Sequence, residues 1–220
     1  MKKTIIRIVV VLAVVIVLWI IMRRTGALQW YAVATGSNEP TYHIGDVFFT
    51  SRLKAPKRLD FISFYYNDPN HKWSGIRVYR LLGITGDKVE IRNGTVYVND
   101  SNMDAHLHLK HLYFVSKNKA NNIDMPNVDI VNSNDSTIMF FMNDSDAVKA
   151  PAISRYLPLK YKDEYIMAMY HKDWTADNFG PVTVPANSYF LLGDNRNNAL
   201  DSRYIGFVSK DDFVGTVLRK

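Results

Sequence analysis

The pattern of apolar and polar positions divides the chain into an apolar N-terminal segment and a long body of short apolar runs. Residues 5–22 are apolar apart from Arg7. As a helix rising 1.5 Å per residue they span about 27 Å, close to the roughly 30 Å hydrocarbon core of a bilayer. The pattern therefore predicts one transmembrane helix, with residues 1–24 as a membrane anchor.

Basic residues flank this segment on both sides. Lys2, Lys3 and Arg7, together with the amino terminus, stand against Arg23 and Arg24. The excess on the N-terminal side favours a cytoplasmic N-terminus. We expect a single-pass protein of the inner (plasma) membrane whose body lies on the outer, periplasmic side.

A cleavable signal peptide is the alternative for this segment, because Ala32-Val33-Ala34 resembles a small-residue cleavage site. Two observations oppose it. The apolar run is longer than the core of an ordinary signal peptide, and Arg23 and Arg24 separate it from Ala34. The sequence favours an uncleaved anchor.

After Ile44 the apolar runs are short and rich in β-branched and aromatic residues, which is typical of strands. Asn93-Gly94 separates two alternating runs and is a strong hairpin signal. The sequence predicts a mostly β protein: an antiparallel, barrel-like catalytic core with one N-terminal transmembrane helix. The predicted strands are residues 47–49, 61–65, 78–84, 89–92 and 95–98.

Residues 100–178 differ from the rest of the body, because Asn, Asp, Lys and His become dense and the apolar clusters are short. We interpret this segment as an inserted, irregular α+β subdomain. The core is then formed by residues 25–99 and 179–220, and the chain returns to it near Pro181.

Composition excludes several classes of site. The 220 residues contain no cysteine, which removes disulfides, thiolate catalysis and cysteine metal sites. The net charge of +6 is spread along the chain without a basic run, so we expect no nucleic-acid partner. His106, His108 and His111 are close in sequence but lack accompanying ligands at metal-site spacing, so no metal or other cofactor is expected.

The stretch from Ala34 to Tyr42 carries the candidate chemistry. Gly36 permits a sharp turn that exposes the hydroxyl of Ser37, and Thr35 supplies a second hydroxyl beside the Ser37 N–H. A hydroxyl nucleophile next to such donors is the minimum for acyl transfer through an oxyanion. An ordinary turn is the alternative, because Gly-Ser also occurs in turns without any chemistry.

The C-terminal part contains two Asp-x-Arg pairs beside the apolar run 189–192. These are Asp194 with Arg196 and Asp201 with Arg203. Charges so close to a core are tolerated when they are paired and hydrogen-bonded. They predict a buried ion-pair framework that holds a loop.

The ordered blocks of this sequence resemble those of bacterial type I signal peptidases, the membrane-anchored serine proteases of the S26 family. The resemblance covers nearly the whole chain except the insertion. The four blocks are residues 36–41 with Gly45-Asp46, residues 60–64, residues 80–88 and residues 193–203.

The resemblance implies a role for individual residues. Ser37 matches the nucleophile, and Thr35 with the Ser37 N–H matches the oxyanion hole. Positions whose ion pairs hold the active-site loops are matched by Arg80, Asp194, Asp201 and Arg203. Positions that shape the shallow substrate pockets for small side chains are matched by Val33, Ala34, Asn38 and Val78.

This sequence departs from the family at the general base. Tyr79 stands where the family has its lysine, and Ala199 stands where the family often has a serine that binds that lysine. Burial lowers the pKa of a lysine toward neutrality, whereas it raises the pKa of a phenol above about 10. His43 and Lys88 are the nearest other candidate bases in sequence.

The resemblance implies a membrane-anchored serine endopeptidase that removes signal peptides from exported preproteins after small residues, at Ala-x-Ala sites. Its partners would be signal peptides, the lipid bilayer and, as a further candidate, the secretion machinery. The alternative is a catalytically silent relative that binds signal peptides or a membrane partner without cleaving.

Overall fold

The computed structural model describes residues 2–68, 74–120, 128–157 and 163–218. The chain begins with the helix α1 (Lys2–Thr25), none of whose residues is buried. Among the described residues, this is the one helix that is long and apolar enough to cross a membrane. The predicted N-terminal apolar helix is confirmed.

Strands dominate the rest of the described chain. In chain order they are β1 (Gln29–Ala32), β2 (Val47–Ser51), β3 (Phe61–Asn67), β4 (Ser74–Ile84), β5 (Lys88–Arg92), β6 (Thr95–Val98), β7 (Ser101–Asn102), β8 (Lys110–Ser116), β9 (Asp129–Ser133), β10 (Thr137–Asn143), β11 (Ser154–Arg155), β12 (Phe179–Thr183), β13 (Ser188–Leu192), β14 (Val208–Ser209) and β15 (Phe213–Val217). The short helices are α2 (Lys117–Ala120), α3 (Asp144–Ala147), α4 (Glu164–Tyr170) and α5 (Ser202–Ile205), with 3₁₀ turns at Gly36–Asn38 and Lys210–Asp212.

These strands form three sheets in which the named strands pair antiparallel. A seven-stranded sheet has the order β1-β2-β15-β3-β4-β13-β14. One four-stranded sheet has the order β12-β5-β6-β7, and another has the order β11-β8-β10-β9. The predicted mostly antiparallel β fold is confirmed.

Each of the five predicted strands lies within an observed strand, from β2 to β6. The hairpin between β5 and β6 turns at Asn93 and Gly94, both with positive φ, of 48° and 73°. This is the conformation that the Asn-Gly pair favours in tight hairpins.

The central strands β4 and β13 are buried on both faces. Leu82, Phe190 and Leu192 pack toward the β5-β6-β7-β12 sheet, in one apolar cluster. Their sequence neighbours Leu81 and Leu191 belong to a second cluster on the opposite face. Because side chains alternate along a strand, the continuous apolar runs in β4 and β13 supply both clusters.

The described parts of the segment 100–178 contribute to two different parts of the structure. The strands β8 to β11 form their own sheet around a cluster that includes Tyr113, Val115 and Phe140. By contrast, β7 extends the β5-β6 sheet, and Ile166 of α4 packs into the first core cluster.

The packing around Gly83 generates a stability prediction. A Cβ at this position would lie 2.8 Å from Val89 Cγ2 and 2.9 Å from Val184 Cγ2. Gly83→Ala therefore overpacks the core, and we expect it to lower the free energy of unfolding by about 1–3 kcal/mol. Chemical denaturation measures this loss, with the exposed Thr85→Ala as the control. Equal stability of the two variants would contradict the packing described here.

Candidate active site

The predicted turn at Gly36 is a 3₁₀ turn that presents Ser37. Thr35 precedes it in an extended conformation, with φ −138° and ψ 155°. The side-chain oxygens of Thr35 and Ser37 lie 3.2 Å apart. The Ser37 hydroxyl also donates to the carbonyl oxygen of Asn198, at 3.0 Å. The two hydroxyls named from the sequence therefore lie side by side.

The fold brings Tyr79 to this turn. Tyr79 is 5% exposed, and both Ser37 and Arg77 lie close enough to its hydroxyl to lower the pKa of the phenol. Burial raises the pKa of Tyr79 to about 12, and the charge of Asp201 acts in the same direction, whereas Arg77 and Ser37 oppose it. At neutral pH the side chain is a phenol. A protonated Tyr79 next to Ser37 is a hydrogen-bond partner and not yet a base.

Gly193 is the point of closest approach between the C-terminal loop and the Ser37 turn. A Cβ on Gly193 would lie 2.5 Å from the Ser37 carbonyl oxygen, 2.5 Å from Ala199 Cβ and 3.4 Å from Tyr79 Cε1. Real Cβ atoms do not approach other atoms so closely, so the packing requires glycine. Ala199 belongs to the same apolar cluster as Tyr79, so the two positions at which the resemblance implies a departure from the family lie at one location.

A buried ion pair holds the Ser37 turn against β4. The carboxylate of Asp194 is fully buried and accepts from Arg80 Nε at 2.7 Å and from Arg80 Nη2 at 2.5 Å. It also accepts from the hydroxyl of Thr41, four residues after Ser37. This bidentate geometry fixes three chain segments relative to one another.

A second buried pair lies in the C-terminal loop. Arg203 Nε and Nη2 donate to the two carboxylate oxygens of Asp201, at 2.9 and 2.8 Å. The expected pairing of Asp194 with Arg196 is not formed. Arg196 instead donates to Asp104 at 2.8 Å, because the guanidinium of Arg80 already occupies Asp194.

A groove of about 460 Å³ opens beside Ser37. Its walls come from the segment after β1 and from β4. Among the described residues, no strand pairs with β1 on the edge away from β2, and β13 pairs with β4 only from Arg80 onward. The lining residues are Tyr31, Ala32, Val33, Ala34, Thr35, Ser37, Asn38, Phe48, Ile76, Arg77, Val78, Tyr79, Asn198 and Leu200.

All four residues expected to shape substrate pockets line this groove. Val33 is buried, whereas Ala34 is exposed at the surface of the groove. Asn38 Nδ2 donates to the carbonyl oxygen of Val78 at 2.8 Å and so ties the Ser37 turn to the groove-facing part of β4. The two walls are thereby held at a fixed separation.

The other candidate bases lie elsewhere. His43 is exposed beside Asp46, and Lys88 forms an exposed ion pair with Asp100 at 3.0 Å. Neither lines the groove. The three histidines considered as ligands are also dispersed: His106 and His108 are exposed, while His111 is buried against Asp144.

A buried lysine that the sequence did not single out lies closer to the turn. Lys110 donates to Glu39 and Asp129, both at 2.7 Å. Burial lowers the pKa of Lys110, but the hydrogen bonds with Asp129 and Glu39 outweigh burial and raise it above its ordinary value. Lys110 is therefore held as a cation and does not replace the missing base.

Two other contacts of the site were missed by sequence reasoning. Arg77 lies near Tyr79 and lowers its pKa, and strand alternation was a usable signal, since residues two apart share a face. Asn198 contributes its backbone carbonyl to Ser37, and a backbone contact leaves no signal in residue identity.

The sequence profile of the family described as "Signal peptidase, peptidase S26" matches residues 3–219. The chain belongs to this family. Ser37, Tyr79 and the buried pairs all lie within the matched residues.

Individual relatives carry the same description. A signal peptidase I of Buchnera aphidicola (subspecies Baizongia pistaciae) is 29% identical, over 76% of this chain and 55% of its own length. A probable signal peptidase I-2 of Synechocystis is 25% identical over 87% of this chain and 62% of its own length. Signal peptidase I S of Bacillus subtilis is 26% identical over 94% of this chain and 82% of its own length.

This S26 chain therefore spans little more than half the length of the first of these relatives. A solved signal peptidase I from Enterococcus faecalis matches 75% of this chain and 98% of its own, at 23% identity. Its TM-score of 0.37 is too low to support a detailed structural comparison.

The buried pairing of Asp194 generates a second stability prediction. Asp194→Asn leaves Arg80 without its charge partner in a buried site, so we expect the free energy of unfolding to fall by about 3–5 kcal/mol. The matched control is Asp100→Asn, because Asp100 pairs with Lys88 at the surface and such pairs contribute about 0–1 kcal/mol. Urea denaturation of both variants tests the difference. Similar losses in the two would show that Asp194 does not hold the site.

Proposed function

We propose that this chain is a membrane-anchored serine endopeptidase that removes signal peptides from exported preproteins after small residues. Ser37 is the nucleophile, Thr35 and the Ser37 N–H form the oxyanion hole, and Tyr79 is the base. The observation that carries the proposal is the position of Tyr79 beside Ser37 in the lining of an open groove. Membership of the S26 family supports a signal peptidase activity of the serine type.

Substrate binding is proposed to occur by strand addition. The groove lies between the segment after β1 and the part of β4 before Arg80, and both carry main-chain groups that an extended peptide can pair with. The lining residues Val33, Ala34 and Val78 are apolar and of modest size. Main-chain pairing would then supply affinity, and the shallow apolar walls would select small side chains such as the alanines of an Ala-x-Ala site.

The proposed reaction begins when Tyr79, as phenolate, accepts the Ser37 proton. Ser37 Oγ bonds to the carbonyl carbon, and the electron pair of the C=O bond moves to its oxygen, where Thr35 and the Ser37 N–H stabilise it. Collapse of this intermediate breaks the C–N bond, and the proton on Tyr79 passes to the departing amine. Water then releases the acyl group by the same steps.

The membrane arrangement belongs to the same proposal. The helix α1 anchors the chain in the inner membrane, with the N-terminus in the cytoplasm and the groove on the outer side, where exported preproteins arrive. Residues 25–99 and 179–220 form the catalytic core, and residues 100–178 form the insertion. Signal peptides are the proposed partners, with the bilayer and the secretion machinery as further ones.

One observation favours a second candidate function. With a pKa of about 12, Tyr79 is a phenolate in about one molecule in 10⁵ at pH 7. A site whose base is almost always protonated can bind a signal peptide without cleaving it. The second candidate is therefore a silent relative that binds signal peptides or a membrane partner.

Cleavage of a preprotein distinguishes the two candidates. We expect the full chain in detergent to cut a preprotein at its Ala-x-Ala site, Ser37→Ala to abolish the cut, and Ser188→Ala, outside the groove, to leave it unchanged. The double change Tyr79→Lys with Ala199→Ser is expected to raise the rate at pH 7. Binding of the preprotein without cleavage by the unsubstituted chain, but cleavage by the double variant, would establish the silent relative.

The pKa of Tyr79 gives a pH dependence. Because activity requires the phenolate, we expect the cleavage rate to rise about tenfold per pH unit between pH 7 and 9.5. A folded-state pKa raised above 10 favours folding below pH 10, and this contribution is lost as pH rises toward 12. The stability contribution of Tyr79 is therefore fully present over the pH range of this measurement. A flat profile there would exclude Tyr79 as the base.

A further inference from the structure

Arg77 places a positive charge at the hydroxyl of Tyr79. The two residues are separated by one position in β4, and alternate side chains of a strand lie on the same face. Both side chains line the groove beside Ser37, and the Arg77 cation lowers the pKa of the Tyr79 hydroxyl. The contact therefore belongs to the candidate active site and not to the apolar core behind it.

Two further contacts fix the guanidinium in place. Arg77 Nη1 donates to the carbonyl oxygen of Leu200 at 3.0 Å. The Arg77 Cζ atom also lies 4.3 Å from the centre of the Tyr66 ring. Tyr66 pairs with Gly75 in the β3–β4 register, which puts its ring diagonally beside Arg77 on the same face of the sheet. The cation is thus positioned before any substrate arrives.

We propose that Arg77 is a positioning residue of this site, which holds the Tyr79 hydroxyl toward Ser37 and stabilises its negative charge when the proton is lost. This inference rests on the proposed function, because it explains how a tyrosine can serve where the family has a lysine. A lysine base needs no counter-charge, since it is neutral when it accepts the proton. A phenolate is negative at that moment, so a neighbouring cation favours it.

The remaining groups around Tyr79 leave this role to Arg77. Asp201 is the nearby anion and opposes ionisation of the phenol, although its charge is paired with Arg203 at 2.8 Å. Ser37 faces Tyr79 from the turn. The strands β3 and β13 present apolar side chains to the ring, including Phe64 and Leu191.

The proton steps balance without a further reactant. Tyr79 takes the proton from Ser37 Oγ as the bond from Oγ to carbon forms, and returns it to the leaving amine as the C–N bond breaks. Arg77 keeps its own protons throughout. Its guanidinium stabilises the phenolate before the transfer, and it holds the phenol in place afterwards.

A titration tests this inference independently of cleavage. A fluorinated tyrosine, whose phenol is more acidic than tyrosine, is incorporated at position 79 of the full chain, and its ionisation is followed by ¹⁹F NMR. A neighbouring opposite charge shifts a pKa by about 1–3, so we expect Arg77→Met to raise the titration midpoint by about one pH unit or more. The matched control is Arg92→Met, because Arg92, on β5, lies 4.1 Å from the centre of the Tyr97 ring, on β6, away from the groove.

Kinetics supply the second readout. At a fixed pH below 10, we expect Arg77→Met to lower kcat at least about tenfold with little change in KM, since the effect falls on the proton transfer. Arg77→Lys retains the charge and is expected to recover part of the loss. If Arg77→Met does not fold, as judged by circular dichroism, Arg77→Gln takes its place in both measurements.

The outcomes separate this inference from the proposed function. An unchanged titration midpoint in the Arg77 variants overturns the inference, even if the unsubstituted chain cleaves preproteins. A raised midpoint without cleavage by any variant supports the role of Arg77 and overturns the peptidase proposal. An equal midpoint shift in Arg92→Met would show a general charge effect and would also overturn the inference.

Discussion

The candidate site depends on one constraint: the buried carboxylate of Asp194 must be neutralised by Arg80. An unpaired charge at that depth would be strongly unfavourable, so the fold forms only when β4, the Thr41 segment and the loop after β13 meet. Because Ser37 lies four residues before Thr41, and Tyr79 directly precedes Arg80, the same pairing determines where the two hydroxyls lie. The chemistry of the site is thus positioned by a structural ion pair.

The segment 100–178 contributes to this constraint. The backbone N–H of Lys110 donates to the Asp194 carbonyl oxygen at 3.1 Å, and the Arg196 N–H donates to the Lys110 carbonyl oxygen at 2.9 Å. The side chain of Lys110 reaches Glu39, two residues after Ser37. Lys110 therefore connects the segment 100–178 to the Ser37 turn and to the loop after β13. A polar segment that looks dispensable from its composition is connected to the site by main-chain and charged contacts.

Local signals predicted much of this structure, and non-local pairing explains what they missed. Alternation and the Asn93-Gly94 turn are written in consecutive residues, so the strands from β2 to β6 could be placed from sequence. The apolar clusters at 112–115 and 138–142 gave no indication that they pair with each other as β8 and β10. Arg196 pairs with Asp104, which lies 92 positions earlier in the chain, and no local pattern predicts a contact at that separation.

Burial acts oppositely on the tyrosine at position 79 and on the lysine that the family resemblance implies there. A buried lysine becomes a better base at neutral pH, whereas a buried tyrosine becomes a worse one, as the pKa of about 12 for Tyr79 indicates. Ala199 is buried in the same apolar cluster as the Tyr79 ring. Arg77, held by Leu200 and Tyr66, supplies the charge that a phenolate needs and a lysine does not. Positions 77 and 79 therefore form one chemical unit, because Arg77 favours the deprotonated form of the base at position 79. The same guanidinium would lower the pKa of a lysine at that position, so it is compatible with either base.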